Sequence, residues 1–353
     1  MRTADDHSQQ WITRICGSFT FFPAHLRNPL RGGGVVVAVI GAHPGDVDSA
    51  SYARFLPDSY RRRATEVRPT STWWRWRGEH VHIARAAAPD APARAMVIHG
   101  AAGHSGALWP VCSPFAGMAD LLLPDLPPYG ASVVDRPGGI RYGDWVELLC
   151  DLVLAERLRD DRPLVLVGAS MGGMLAYEAA ARTGQVSAVV ATCLLDPADP
   201  EARRHAARGG LGSIPRPVLG VLERFAGGVR VPMSWMAEVG RISRNPELAA
   251  LCAADPRGGG LHAPIGLLTS FARYRHTPPE DFAETPVILA HPEADDWTPP
   301  EISRRFLDRI KAPTTLVELE NCGHYPAEEP GLTRFAETLY SLIGNTLEEP
   351  TEA

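Results

Sequence analysis

Short apolar runs punctuate the chain, and between them apolar positions recur at helical spacing. Ala95 to Ile98, Leu121 to Leu123, Leu164 to Val167, Ser187 to Leu195, Pro286 to His291 and Thr314 to Leu319 read as strands. Several have no polar alternation, as in strands buried on both faces of a sheet. Tyr142 to Leu158 carries Trp145, Leu148, Leu149, Leu152 and Leu154 toward one side and reads as a helix. Another helix follows Met171, in a stretch rich in Ala, Leu and Met. Thr298 and Pro299 form an N-cap and first-turn pair for a helix running through Ile310. Leu332, Phe335, Leu339 and Leu342 space a closing amphipathic helix. Trp73, Trp74 and Trp76, then His80 to Ala84, flank Gly78-Glu79 as an antiparallel hairpin. Strands alternating with helices predict an α/β fold, a mostly parallel central sheet with helices on both faces.

The rhythm breaks between residues 197 and 284, where Pro, Gly and Arg become frequent and helices look short. This stretch is expected to be an inserted helical cap. Its Phe225, Met233, Trp235, Met236, Phe271 and Tyr274 would line an acyl or alkyl pocket. Asp255 to Gly260 reads as a chain-reversing loop within it. The organised core then comprises residues 69–196 and 285–346. Residues 1–68 are an extension with no definable site, in which Val35 to Ala42 is an apolar run that fits a strand leaning on the main domain. Residues 347–353 form an acidic tail, expected to fray.

Composition narrows the function classes. The 353 residues are 45% hydrophobic and 22% charged, which suits a globular chain with a full core. The formal net charge of −6 argues against a nucleic-acid partner. Six scattered cysteines without a C-x-x-C fit reduced thiols and a cytoplasmic location. No run approaches the roughly 18 apolar residues of a membrane span. Asp5 and Asp6 make a poor n-region for a signal peptide. Gly32-Gly33-Gly34 is fed by no strand and followed by no G-K-[ST], so it is no phosphate loop. The expected partner is a small-molecule substrate, with no cofactor and no metal; the oligomeric state is not legible.

The candidate chemistry sits where strands end. Gly168-Ala169-Ser170-Met171-Gly172 is a G-x-S-x-G sequence between a strand and a helix, the context of a nucleophile elbow. A serine hydroxyl is a weak nucleophile and needs a base, which in turn needs an orienting acid. His324, in Cys322-Gly323-His324, and Asp295, in Asp295-Asp296-Trp297-Thr298-Pro299, follow in the chain order Ser, Asp, His. His99-Gly100-Ala101 ends a strand with small residues, so backbone N–H groups there can approach a substrate. His99 is expected to orient that loop, and His104 suits the pocket or the surface equally. Cys322 has nothing nearby to lower its pKa and is not a nucleophile candidate.

With these motifs in order, from about Trp73 to Ile343, the chain resembles the α/β-hydrolase superfamily. Within it the chain is most similar to the capped group of lysophospholipases, monoacylglycerol lipases and serine aminopeptidases. The resemblance implies an α/β-hydrolase fold with Ser170 as nucleophile, His324 as general base and Asp295 as acid. Pro299, four residues after Asp295, matches the family's placement of the acid; Asp296 is its near rival and Asp196 its distant one. The resemblance also implies an oxyanion hole from the Met171 and Ala101 N–H groups. Pro128, in Asp125-Leu-Pro-Pro-Tyr-Gly130, departs from the glycine many relatives carry, and residues 1–68 have no counterpart. The implied activity is hydrolysis of a carboxylic ester with an apolar part through an acyl-enzyme. The alternatives are a thioesterase, an amidase or peptidase, and a non-catalytic binding protein on the same scaffold.

Overall fold

The apolar runs pair edge to edge. The computed structural model describes residues 35–36, 49–207, 214–233, 239–260 and 262–345. Its strands are β1 (Val35–Val36), β2 (Thr70–Trp76), β3 (Glu79–Ala86), β4 (Ala93–Ile98), β5 (Ala119–Pro124), β6 (Leu164–Gly168), β7 (Ala188–Ala191), β8 (Arg230–Pro232), β9 (His262–Pro264), β10 (Val287–Pro292) and β11 (Thr314–Leu319). Among the described residues, nine of them form one sheet in the order β1-β2-β3-β5-β4-β6-β7-β10-β11. From β5 to β11 the neighbours run parallel, while β1, β2 and β3 add an antiparallel edge. β4, β5, β6 and β7 are buried along their whole length, which is why they carry no polar alternation.

The helices are α1 (Ser49–Ala53), α2 (Asp58–Glu66), α3 (Ser105–Cys112), α4 (Tyr142–Arg157), α5 (Met171–Thr183), α6 (Pro200–Ala207), α7 (Arg216–Ala226), α8 (Pro246–Ala254), α9 (Ile265–Arg273), α10 (Pro300–Leu307) and α11 (Gly331–Asn345). Successive strand residues point to opposite faces, so the sheet separates two cores. Met96, Ile98, Leu164 and Leu166 meet Trp145 and Leu149 of α4 and Leu175 of α5 on one side. Ala95, Val97, Val165 and Val167 meet Tyr52 of α1, Trp109 of α3 and Phe335 of α11 on the other.

Several local expectations differ from the structure. The run from Ser187 is a strand only over Ala188–Ala191, because the chain turns at Thr192 to meet the elbow. Thr298 is not the cap of α10; Pro299 holds that position, and the Thr298 N–H instead bonds Asp295 Oδ1 at 2.8 Å. The helix stops at Leu307 and reaches Ile310 only through a turn. Within the extension, residues 49–66 form α1 and α2 and bury Tyr52, Leu56 and Tyr60. Between β7 and β10 the chain inserts α6 to α9 and the antiparallel pair β8-β9. The rest of the Val35 to Ala42 run, Trp235, Met236 and the acidic tail lie outside the described residues.

Candidate active site

The elbow is built by close approach of backbones. A Cβ at Gly172 would stand 2.2 Å from Ile98 O, so only glycine lets α5 lie this close to the end of β4. Ser170 sits between at φ 55° and ψ −126°, a left-handed conformation that is costly for a residue with a side chain. It is held there by Ala169 N–H to Ile98 O at 2.8 Å and by its own N–H to Thr192 Oγ1 at 3.0 Å. Ser170 occupies the N-cap position of α5, yet its hydroxyl makes no capping bond. It points instead at His324.

His324 Nε2 lies 2.8 Å from Ser170 Oγ, and its Nδ1 lies 2.8 Å from Asp295 Oδ2. A carboxylate only accepts, so the proton belongs on Nδ1, and Nε2 presents its lone pair to the serine hydroxyl. Asp295 is 3% exposed. Burial pushes its carboxyl up, but the neighbouring His324 and the Thr298 N–H outweigh that and hold it below the usual carboxylate range. Its Oδ1 also accepts from Trp297 N–H at 2.8 Å, fixing the group from its far side. The two rivals lie elsewhere. Asp296 is exposed, and Asp196 approaches His276 at 3.5 Å.

The loop after β4 lies against the elbow: a Cβ at Gly100 would be 3.1 Å from both Met171 N and Ser170 Cβ. Met171 opens α5, where N–H groups have no intrahelical acceptor, and Ala101 lines the cavity beside Ser170. His99 fixes this loop. Leu126 N–H donates to its Nε2 at 2.7 Å, so its Nδ1–H donates to Gly100 O at 2.6 Å. Full burial lowers its pKa to about 4, which keeps it neutral. Asp125 anchors the facing loop by accepting from Ser105 N–H and Ala131 N–H. Burial pushes its carboxyl up, but the paired His82 holds it well below the usual range. His104 is neither in the cavity wall nor on the surface: it is 1% exposed and pairs with Asp255 at 2.7 Å. Burial pushes the Cys322 thiol up to about 12.

Ser170 and His324 open onto a cavity of about 120 Å³. Its walls include the loop after β4, Leu108 and Val111 of α3, Phe335 of α11 and Tyr52 of α1. The expectation that Phe225, Met233, Phe271 and Tyr274 line it does not hold. Phe225 is 79% exposed, Met233 is buried elsewhere, and Phe271 and Tyr274 pack on Tyr142. Among the described residues of the inserted segment, Ile242 and Cys252 line it. Trp297, whose ring stands 4.6 Å from that of His324, and Thr192 are wall residues to which the sequence reading gave no role. Their one legible signal is position directly after a strand or beside Asp295. Among the described residues no His, Cys, Asp and Glu group could hold a metal ion.

The sequence model of the alpha/beta hydrolase family matches residues 95–338. No curated protein matches the chain significantly. Among solved structures, the monoacylglycerol lipase of Paleococcus ferrophilus is 21% identical with a TM-score of 0.59, covering 75% of this chain and 99% of its own. A soluble variant of the Saccharomyces cerevisiae monoglyceride lipase is 14% identical with a TM-score of 0.63, covering 81% and 97%. An esterase from a Rhodococcus species is 19% identical with a TM-score of 0.53, covering 79% and 100%. With the family's sequence pattern running from β4 into α11, the chain belongs to the alpha/beta hydrolase family.

Proposed function

We propose that this protein is a serine hydrolase that cleaves a carboxylic ester with an apolar acyl group through an acyl-enzyme. The observation that carries this reading is the pair of 2.8 Å hydrogen bonds joining Ser170, His324 and Asp295. Ser170 Oγ attacks the ester carbonyl carbon while His324 Nε2 takes its proton. The carbonyl electrons move onto oxygen, and the Met171 and Ala101 N–H groups receive that charge. Asp295 stabilises the imidazolium without taking its proton. The intermediate collapses, the alkoxide leaves with the proton from His324, and the acyl group stays on Ser170. Water, deprotonated by His324, then attacks the acyl carbon; the bond to Ser170 Oγ breaks, His324 returns the proton to that oxygen, and the acid leaves.

The apolar cavity beside Ser170 supports an acyl-binding role, and the lipases and esterase of like fold support the ester. Thioesters and amides are open to the same machinery, so the substrate panel includes all three bond types. The test labels wild type and Ser170→Ala with a fluorophosphonate and assays both on that panel. Labelling of wild type alone, with ester turnover, is the expected outcome. Equal labelling of the two proteins sinks the mechanism, and labelling without turnover of any bond type favours a ligand-binding protein.

A further inference from the structure

We infer that α1 is a specificity element of this active site, and that Tyr52 on it restricts the acyl group to short aliphatic chains. The inference rests on the reading of Ser170 as the acylated residue. It adds an element that lies outside the segment matched by the family pattern, which starts at residue 95.

Tyr52 is 2% exposed, and its ring forms part of the cavity wall that also holds Ser170 and His324. It stacks on Tyr325, the residue next to His324, with centroids 6.4 Å apart and planes at 21°. The Tyr325 hydroxyl is tied to Ala107 O of α3 at 2.7 Å, so the stacked pair forms a braced wall. The Tyr52 hydroxyl is just as fixed. It donates to Asp255 Oδ2 at 2.6 Å, and the same oxygen pairs with His104 Nε2 at 2.7 Å. Asp255 also accepts Arg257 N–H at 2.9 Å, and the loop it opens reaches the loop after β4: a Cβ at Gly258 would stand 2.5 Å from Ala102 O. One tyrosine thus closes the acyl wall with its ring and ties that wall to the oxyanion loop with its hydroxyl.

Size gives the substrate class. An apolar cavity of about 150 Å³ takes a benzene ring. The 120 Å³ here, walled by Leu108, Val111, Ile242, Cys252 and Phe335, suits a chain of about four carbons in length. Tyr52, Tyr325 and Phe335 bound the cavity with aromatic rings, so a longer chain must displace one of them or leave by the mouth. Each methylene that finds room adds about fourfold to affinity, and one that does not adds nothing.

The test compares wild type, Tyr52→Phe, Tyr52→Leu and Tyr52→Ala on p-nitrophenyl acetate, butyrate, octanoate and palmitate. Each is checked for folding by circular dichroism and thermal melting. Wild type should prefer butyrate. Tyr52→Ala and Tyr52→Leu should shift the preference to octanoate, by about tenfold in the ratio of kcat/KM. Tyr52→Phe should keep the butyrate preference and lose activity in kcat rather than KM, because the ring remains and only the tether is cut. A folded Tyr52→Leu or Tyr52→Ala protein with the wild-type chain-length profile overturns the inference. The same substitutions in the Ser170→Ala background, titrated with butyrate and octanoate and read by tryptophan fluorescence, test the pocket without chemistry. If no ester is turned over, the proposed hydrolysis fails, while the order of binding still upholds or overturns the role of Tyr52.

Discussion

Asp295 and Asp296 are neighbours in the chain and opposites in the fold. Asp295 is buried, accepts the His324 Nδ1–H and accepts two backbone N–H groups. Asp296 is exposed, so its change to Asn costs little. Asp295→Asn keeps the shape, but its amide can present N–H to His324 Nδ1 and favour the wrong tautomer. Its kcat should fall about a thousandfold to ten-thousandfold, while Asp296→Asn stays within about twofold of wild type. Steady-state kinetics on one ester checks both, and the reverse ranking removes Asp295 from the mechanism. At this scale the candidate site is largely legible, because Ser170, Asp295 and His324 each sit in a short local motif. Tyr52 and Asp255 are not legible: they meet His104 only after chain segments about 50 and 150 residues apart come together, and no local pattern records that. His104 shows the same limit, since a loop histidine carries no mark of the carboxylate it will bury against.

At the scale of elements, strand–turn–helix is the unit that carries the proposed chemistry, and its tolerance is set by the contact between α5 and β4. A methyl at Gly172 would enter within 2.2 Å of Ile98 O, backbone that cannot swing aside. Gly172→Ala should therefore destabilise by about 3 kcal/mol through overpacking. It should also lower kcat about a hundredfold, because displacing α5 by even an ångström separates Met171 N–H from the loop that carries Ala101. Gly143→Ala on α4, where a Cβ meets nothing within 4 Å, is the control and should be neutral or slightly stabilising. Chemical denaturation and kinetics on the two variants decide this; equal effects dismiss close approach as the reason for glycine in the elbow. Apolar runs and glycines made this unit readable from sequence. Exact ends were not, as Thr298 shows: the helix starts one residue later, capped at Pro299, and the Thr298 N–H goes to Asp295. The cavity wall was misread as well: Phe271 and Tyr274 pack against Tyr142 of α4 rather than beside Ser170, and Phe225 faces solvent.

Over the whole molecule, stability depends on pH through groups that the fold holds in one protonation state. His99 is the clearest, with its pKa lowered to about 4 by burial while the unfolded chain has an ordinary histidine near 6.5. Between those values the unfolded chain binds a proton that the folded one refuses, so stability falls as pH falls from about 6.5 to about 4. The loss approaches about 3 kcal/mol, at up to about 1.4 kcal/mol per pH unit, and stops growing below about 4, where both states are protonated. His291, lowered mainly by burial, adds to the same limb. Asp120, Asp125 and Asp295 are held below the usual carboxylate range, so their contribution is present above pH about 4 and is lost only below it. The acid limb therefore has two stages, a histidine stage and then a carboxylate stage. His99→Gln should weaken the protein at neutral pH, since Gln reproduces the two hydrogen bonds of His99 only in part. It should also flatten the slope between pH 6.5 and 4 by about 1.4 kcal/mol per unit. Urea unfolding of both proteins across that range measures it, and an unchanged slope removes His99 as its source. The same variant links stability to activity, because the loop His99 fixes carries Ala101: ester turnover should fall in kcat with KM nearly unchanged, and acid should cost the wild type kcat before the molecule unfolds.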